Sequence, residues 1–391
     1  STPSSPTAPP HYPTPPTSPP TDRLHHQAGR HLFIVHPYPH GTVTAAHPAA
    51  AEVLAAYEDW ATPKEVGKDL AHLSPDTIED AVSVLTEAGA LVCEDTSRAA
   101  RDEEIDRHWG AWAPEAAFLH YASQDIYDDS IVETDHDASV QVEAQEPVLF
   151  TEYPNAAQVL LPRPGSQPEL DTPYRHVLYG RRTHRDFTAE PVAIETLATL
   201  LATCFGPVDF IDSGRSALYR RTSPQGGSRQ ELDTYLGILK VSGLEAGWYH
   251  YNGLQHSLEL LSKGLTPEEA TALCAGQEWA GEAAFLVVLA ARLERMSCKY
   301  ATPRAYRVSL LNAGHLGQTF ALTATALGLG PFQTGAFCDT PLAERCTLNN
   351  TSHTPLYFLA AGHPSPQPQQ TPHRATAATF ASTRIRPGAE G

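Results

Sequence analysis

AYRVSLLNAGHLGQTFALTATALGLG, residues 305–330, predicts one long helix that ends in a glycine-rich stretch. No Asp, Glu, Lys or Arg follows Arg307 in it, so we expect a helix that is buried nearly all round. The preceding stretch AAFLVVLAARL, residues 283–293, is an almost unbroken apolar run of strand length. Such a run is typical of a strand that is covered on both faces. The two stretches therefore predict an α+β domain with helices packed against a central sheet.

The flanking sequence extends this domain over residues 171–365. AIETLATLLATCFG, residues 193–206, predicts a helix that stops at its last glycine. ELDTYLGILKVSGL and GWYHYN, residues 231–244 and 247–252, predict two strands joined by a turn near Gly243. TPLYFLAAGHP, residues 354–364, predicts a closing strand.

The N-terminal part has the outline of a winged helix over residues 30–96, with one strand, three helices and a closing strand. The third helix is expected to begin after Ser74 and to end at Gly89. ALVCE, residues 90–94, predicts the closing strand. Because the third helix carries four acidic side chains and no basic one, a structural or peptide-docking module is favoured over DNA reading.

The remaining segments connect or flank these two parts. Residues 97–170 predict a helical and extended linker region. Residues 1–29 and 366–391 are Pro-rich, and such composition cannot bury enough apolar surface to offset its ordering entropy. We therefore expect a disordered or polyproline-like tail at each end.

Composition narrows the classes of partner. The 391 residues carry 27 Lys and Arg against 45 Asp and Glu, for a net charge of −18, which disfavours nucleic acid and anionic membranes. The sequence predicts neither a membrane span nor a signal peptide. The six Cys are scattered singly, which favours reduced, mostly buried thiols and a cytoplasmic location. The His residues fit no recognised zinc spacing, so no metal site is predicted.

A cluster of guanidinium groups is the first candidate site. YGRRTHRDF places Arg181, Arg182 and Arg185 around Thr183 on an otherwise acidic chain. Arginine forks match the oxygens of a phosphate group, so the cluster suits a phosphorylated ligand. A solvated basic turn is the alternative interpretation.

Two glycine-rich loops and a Lys-Tyr pair complete the candidate residues. Pro224, Gln225, Gly226 and Gly227 form a loop in which two adjacent glycines let the backbone approach a flat ligand. GLGPFQTGAF, residues 328–337, is a second such loop and contains Gly335.

Lys299 and Tyr300 stand side by side where the predicted buried strand gives way to the long helix. They could handle protons at the mouth of a site, or they could be ordinary surface residues.

In this order, the motifs resemble the nitroreductase family. They resemble more closely its SagB-type dehydrogenases, which oxidise thiazolines and oxazolines in the biosynthesis of ribosomal peptides. The resemblance covers about residues 105–365. It rests on Arg-Arg-Thr-x-Arg-x-Phe at 181–187, the loop at 224–227, GWYHYN and LNAGHLGQTFALTATALGLG. The fold class that it implies is a nitroreductase-like FMN-binding fold with an N-terminal winged-helix-like module.

The resemblance implies FMN at the interface of an obligate homodimer. By motif match, Arg181, Thr183 and Arg185 would hold the FMN phosphate and ribityl chain, with Arg182 a weaker member. The 224–227 loop would line the flavin and Gly335 would help close the site. Where the family usually has Ser, this chain has Gln225, which puts that contact in question. The implied substrate is an azoline on a peptide or carrier, with a cyclodehydratase complex as a further partner.

The chemistry of azoline oxidation assigns a role to the Lys-Tyr pair. Turning an azoline into an azole removes a proton and a hydride, so a base must lie within hydrogen-bond reach of the ring. A neighbouring ammonium favours the ionised phenol, and removal from water favours the neutral amine. We expect Tyr300 to be the base and Lys299 to tune it, with the roles reversible, and molecular oxygen to be the final acceptor.

Two other functions remain open on the sequence. One is an NAD(P)H-dependent reductase of nitro compounds or quinones, or another flavin dehydrogenase. The other is a non-catalytic scaffold subunit of a peptide-modifying complex.

Overall fold

The computed structural model describes residues 32–38, 41–112, 114–124, 147–164, 170–212, 217–300 and 302–366. The chain divides into two compact units, Ser1–Gln124 and Asp125–Gly391. The predicted N-terminal tail, and all but the first residue of the predicted C-terminal tail, lie outside the described residues.

The first unit is mainly helical. Its two short strands pair antiparallel, and the helices that follow bury a small apolar core around Val53, Val66 and Leu85. The elements are β1 (Phe33–Val35), β2 (Thr44–Ala46), α1 (Pro48–Ala55), α2 (Pro63–Asp69), α3 (Pro75–Ala88), α4 (Ser97–Trp109) and α5 (Pro114–Ala122).

The predicted third helix is confirmed, and the predicted closing strand is wrong. Ser74 caps α3 by accepting a hydrogen bond from the Thr77 amide, and Gly89 ends the helix with φ +83°. The amides of Ala90 and Leu91 both donate to the Leu85 carbonyl, so this backbone is used in the helix cap and not in a strand ladder. Residues 90–94 form bends and turns, and the described residues therefore do not complete a winged helix.

The second unit is built on a seven-stranded sheet in the order β10-β11-β9-β6-β7-β8-β3. Every neighbouring pair in it is antiparallel. The strands are β3 (Ala157–Leu160), β4 (Asp209–Asp212), β5 (Ala217–Arg220), β6 (Leu232–Ile238), β7 (Gly247–Asn252), β8 (Ser257–Lys263), β9 (Phe285–Arg292), β10 (Gly330–Thr334) and β11 (His353–Gly362). β4 and β5 form a separate hairpin.

Helices cover both faces of this sheet, as the apolar run at 283–293 predicted. Along β9, Val287 and Leu289 point into one apolar core and Leu286 and Val288 into another, because successive side chains of a strand face opposite sides. The helices are α6 (Tyr174–Gly180), α7 (Ile194–Phe205), α8 (Pro267–Leu273), α9 (Trp279–Glu282), α10 (Glu294–Ser297), α11 (Pro303–Ala326) and α12 (Asp339–Arg345). The α+β expectation is confirmed.

The long helix α11 is more buried along its second half than along its first. Leu316 and Phe320 are fully buried in the core, in line with the prediction. Tyr306, Leu310 and Leu311, however, are 39%, 41% and 58% exposed, so the expectation of a helix buried nearly all round is wrong there. The physical reason is that one apolar face of the first half lies outside the core of this unit.

Two further sequence expectations concern membranes and thiols. Within the described ranges, no helix is both long enough and apolar enough to cross a bilayer. All six cysteines are described and none is in a disulfide; Cys204, Cys274 and Cys346 are buried, whereas Cys93 and Cys298 are exposed. The thiols are therefore free, as predicted, but only half of them are buried.

Candidate functional site

The arginine-rich turn at 181–185 lies along the edge strand β10. The His184 amide donates to the Pro331 carbonyl at 3.1 Å, and the Arg185 guanidinium lies 5.4 Å from the ring centroid of Phe332. A Cβ atom at Gly330 would come within 2.8 Å of the His184 ring. The turn is therefore fitted closely to the strand, which a freely solvated basic turn would not require.

The charges of this turn are not equivalent. Arg182 Nη1 donates to the carbonyls of Tyr179 and Arg181, both at 2.8 Å, so one of its terminal nitrogens already binds nearby backbone. Burial lowers the pKa of His184, and the cation of Arg182 lowers it further, which favours the neutral imidazole. Thr183 and Arg185 are exposed and can meet an anion. Sequence reasoning gave His184 no role, and its closeness to β10 is a non-local feature.

The 224–227 loop is held by the long helix. The Asn312 side-chain oxygen accepts a hydrogen bond from the Gly226 amide at 3.2 Å, and the ring of His315 contacts the Pro224 carbonyl at 3.3 Å. Asn312 in turn donates to the buried carboxylate of Glu231 at 2.9 Å. The loop is thus fixed to α11 and, through Glu231, to the start of β6.

Gln225 occupies the position that departs from the family pattern. The oxygen and the nitrogen of its side-chain amide are both buried and have no hydrogen-bond partner in the structure. An unpaired buried amide costs free energy, so this side chain gains from any ligand or rotamer that presents both a donor and an acceptor.

Tyr300 and the 224–227 loop meet at Gly227. A Cβ atom built on Gly227 would lie 2.2 Å from the Tyr300 hydroxyl and 3.0 Å from its Cζ. The Lys299 ammonium lies 5.3 Å from the centroid of the Tyr300 ring. Lys299 is exposed and Tyr300 is partly buried. The structure therefore brings the Lys-Tyr pair next to one of the two glycine-rich loops.

Replacing Gly227 with alanine is expected to displace the Tyr300 ring and to destabilise the protein by more than the backbone strain alone. Gly227 has φ +59°, so the substitution carries a left-handed backbone cost of about 1–2 kcal/mol. The clash with Tyr300 adds roughly 1 kcal/mol or more. Urea unfolding of the variant measures the sum.

Gly243 is the matched control, because it also has positive φ (+80°) and a Cβ atom there would meet nothing within 4 Å. In a Tyr300→Ala background, Gly227→Ala should cost no more than Gly243→Ala costs in the wild type. Equal costs for the two substitutions in the wild type would contradict the clash.

The second predicted glycine-rich loop, residues 328–337, is mostly strand: Gly330–Thr334 form β10, and Gly335 lies just beyond the end of that strand. Gly335 is exposed and a Cβ atom there would meet nothing within 4 Å, so its surroundings are open. Gln333, two residues earlier, donates to the Gly317 carbonyl of α11 at 2.7 Å. Gly317 follows Asn312 by five residues, about 7.5 Å along the helix axis. The arginine-rich turn on β10 and the 224–227 loop are therefore both tied to the same helix.

A buried ion pair fixes the segment that carries Lys299 and Tyr300. Arg295, in α10, is 1% exposed, and its guanidinium lies 2.6 Å from the carboxylate of Asp233, which is 6% exposed. The same guanidinium donates to the Val148 carbonyl at 2.8 Å and to the Thr151 hydroxyl at 3.1 Å. Thr151 also donates to Asp233. α10 is thereby anchored to β6 and to the segment before β3.

Electrostatics keep Asp233 ionised in this buried place. Burial alone would raise the pKa of the carboxyl, but Arg295 and the ring of His353, whose Nε2 lies 3.3 Å from the carboxylate, hold it well below its usual value. Sequence reasoning missed Asp233, Arg295 and Thr151. The available signal was a charged residue inside an apolar strand pattern, which is typical of a paired buried charge.

Comparison with known proteins identifies the region that carries these features. Residues 178–363 match the model of the nitroreductase family. A Methanocaldococcus jannaschii protein that carries the nitroreductase name is 29% identical over 186 residues, which are 48% of this chain and 88% of that protein.

Two peptide-processing relatives also match. The trifolitoxin operon protein TfxC of Rhizobium leguminosarum bv. trifolii is 25% identical over 304 residues, 72% of this chain and 80% of that protein. The microcin B17-processing protein McbC of Escherichia coli is 27% identical over 170 residues, 42% of this chain and 60% of that protein. The solved E. coli microcin synthetase McbBCD complex with truncated pro-MccB17 contains a chain with 22% identity and a TM-score of 0.42, covering 66% of this chain and 96% of that one.

Proposed function

Since this chain is a nitroreductase-family oxidoreductase related to the trifolitoxin and microcin B17 processing proteins, we propose that it oxidises thiazoline or oxazoline rings of a peptide-derived substrate to azoles, with FMN as cofactor. The observation that carries this proposal is the contact between Tyr300 and the backbone of Gly227. It places a proton-accepting side chain directly against the backbone of a loop that neighbouring groups can approach closely.

The residues around the site fit FMN. Arg181, Thr183 and Arg185 would hold its terminal phosphate and ribityl chain, because guanidinium forks and a hydroxyl match phosphate oxygens. Arg182 is a lesser candidate, since its Nη1 already donates to two nearby carbonyls. Pro224, Gln225, Gly226 and Gly227 would line the ring, and the unpaired amide of Gln225 suits a ring that has both donors and acceptors. Gly335 and its neighbours would help close the site.

The chemistry divides between the cofactor and this chain. FMN supplies the acceptor for the hydride that leaves the azoline ring. The chain's own task is to take the proton from the ring carbon, and Tyr300 is the proposed base. The ammonium of Lys299 lies 5.3 Å from the centroid of the Tyr300 ring, and Lys299 is the proposed partner of this base. The closely fitted Gly227 holds the phenol in place and excludes water from one side of it.

The assembly proposed with this activity is a homodimer. Tyr306, Leu310 and Leu311 form an exposed apolar face on the first half of α11, and such a face marks an interaction surface. The same half of the helix anchors the 224–227 loop through Asn312. A second copy seated there would bury this face beside the site. The substrate would come from a cyclodehydratase, the class of enzyme that makes azolines from Cys, Ser or Thr.

The test begins with the absorption spectrum of the purified protein and continues with mass spectrometry of an azoline-bearing peptide. We expect bound FMN and a mass loss of two hydrogens in the peptide under air. Rapid anaerobic bleaching of the flavin by NADPH, without peptide oxidation, would favour a reductase of nitro compounds or quinones. A colourless protein that takes up no FMN would favour a scaffold subunit.

Arg185→Ala is expected to weaken FMN binding by roughly tenfold to a hundredfold, because a charge-assisted hydrogen bond contributes about 1.5–3 kcal/mol. Quenching of FMN fluorescence during titration measures the dissociation constant. The control is Arg220→Ala, which removes another exposed guanidinium, paired with Asp209. Equal affinities for the Arg185 variant and the wild type would remove the turn from the phosphate site.

A further inference from the structure

We infer that Arg229 is a positioning residue that ties the 224–227 loop to the segment carrying Lys299 and Tyr300. Arg229 directly follows the short 3₁₀ turn Gly226–Ser228. Its Nε donates to the Arg295 carbonyl at 2.9 Å, and its Nη2 donates to the Cys298 thiol at 2.9 Å. One guanidinium thus bridges the two parts of the chain that meet at the candidate site.

The two acceptors of Arg229 frame the turn that presents the Lys-Tyr pair. The amides of Lys299 and Tyr300 both donate to the Met296 carbonyl, at 3.1 and 2.9 Å. Met296 lies between the two acceptors in the sequence. Any shift of Arg295 or Cys298 therefore moves the turn whose last residue is Tyr300.

Both segments that Arg229 connects are also held by other contacts. Arg295, whose carbonyl accepts from Arg229, is itself held through its side chain by Asp233. On the loop side, the Gly226 amide is held by Asn312. Arg229 thus connects two anchored segments, and it is placed to set the separation between Gly227 and the Tyr300 hydroxyl.

The role needs an arginine. The guanidinium offers several donors in a fixed planar fork, whereas a lysine ammonium is a single point at the end of a flexible stem. Lysine can reach one acceptor or the other, so Arg229→Lys should restore the link only in part. Methionine keeps the bulk of the stem and donates to neither acceptor.

The effect of Arg229 on kcat rests on the proposed function, but its effect on the turn at residues 298–300 can be tested separately. Hydrogen–deuterium exchange in the full-length protein reports on the amides of residues 298–300. We expect exchange there to rise by roughly tenfold in Arg229→Met, because the local opening that exposes them loses two hydrogen bonds. Arg229→Lys should fall between this variant and the wild type.

Arg221 provides the matched control. It also donates to two acceptors, the carbonyls of Phe205 and Leu232, at 2.9 and 3.0 Å. Arg221→Met therefore loses a similar number of bonds, but it should leave exchange at residues 298–300 unchanged. Unchanged exchange in Arg229→Met, or an equal rise in Arg221→Met, would overturn the inference.

A kinetic readout separates positioning from general destabilisation. With a synthetic thiazoline-bearing peptide as probe, Arg229→Met should lower kcat by about tenfold or more while KM and the FMN dissociation constant stay near wild type. Arg229→Lys should recover part of kcat. If the wild type does not oxidise the peptide, the proposed function fails and the exchange result still decides the inference. If the wild type is active and Arg229→Met keeps full kcat, the positioning role is wrong.

Discussion

Replacing Asp233 with alanine is expected to lower the free energy of unfolding by about 3–5 kcal/mol, because it leaves the buried Arg295 guanidinium without its carboxylate. Arg295 is 1% exposed, so water cannot take the place of the missing partner. Urea denaturation monitored by circular dichroism measures the loss.

The control for this prediction is Asp209→Ala, which breaks an ion pair with Arg220 on the protein surface. Surface pairs contribute about 0–1 kcal/mol, so this variant should stay close to wild type. The double variant Asp233→Leu/Arg295→Met should be more stable than Asp233→Ala, since it removes both charges together. Similar losses for Asp233→Ala and Asp209→Ala would show that the buried pair does not stabilise the fold as expected.

The same pair predicts how stability depends on pH. The pKa of Asp233 is well below its usual value in the folded protein because Arg295 and His353 outweigh the effect of burial. An Asp with a lowered pKa stabilises the fold above its unfolded value of about 4, and that contribution is lost as the pH falls toward the folded pKa. The stability difference between wild type and Asp233→Asn should therefore be constant from about pH 7 to pH 5 and shrink below about pH 4.

Tyr300→Phe is expected to lower kcat for azoline oxidation by about 10²–10⁴, because general base catalysis contributes a factor of that size. The substitution removes only the hydroxyl, so the ring still packs against Gly227 and FMN binding should be unchanged. Lys299→Ala is expected to have a smaller effect, because Lys299 is the proposed partner of the base and not the base itself. Single-turnover reduction of the bound flavin by a thiazoline-bearing peptide measures both.

Tyr174→Phe and Lys263→Ala, which alter other exposed side chains, are the controls and should keep wild-type rates. A larger loss in Lys299→Ala than in Tyr300→Phe would make the amine the base and the phenol its neighbour. Unchanged turnover in both variants would remove the pair from the mechanism.

The fold was largely predictable because its signals are local. The helix Pro75–Ala88 has its cap and its stop in adjacent residues, and β9 is an uninterrupted apolar run. The errors have non-local causes. Residues 90–94 looked like a strand, but their first amides cap a helix. The first half of α11 looked fully buried, but one of its apolar faces is exposed.

In the candidate site, too, the residues in local motifs were predictable and those held by contacts distant in sequence were not. Lys299 and Tyr300 are neighbours in the chain, and the arginine-rich turn is a compact motif, so a pattern could point to them. Asp233, Arg295 and Arg229 act through contacts between segments that are about 60 residues apart or more in sequence, and no local pattern records such contacts. The register of β6 with β9 brings Asp233 opposite Ala290, near the end of β9 that leads to Arg295.

The hydrogen bond from Arg295 to the Val148 carbonyl has a practical consequence for anyone who shortens this protein. The family match begins at residue 178, and a fragment cut there would keep every glycine-rich loop and every arginine of the 181–185 turn. It would lack Val148 and Thr151, which both accept from the Arg295 side chain, and the edge strand at 157–160. A fragment that keeps every hydrogen bond of the Arg295 side chain therefore has to start before Val148, some thirty residues upstream of the family boundary.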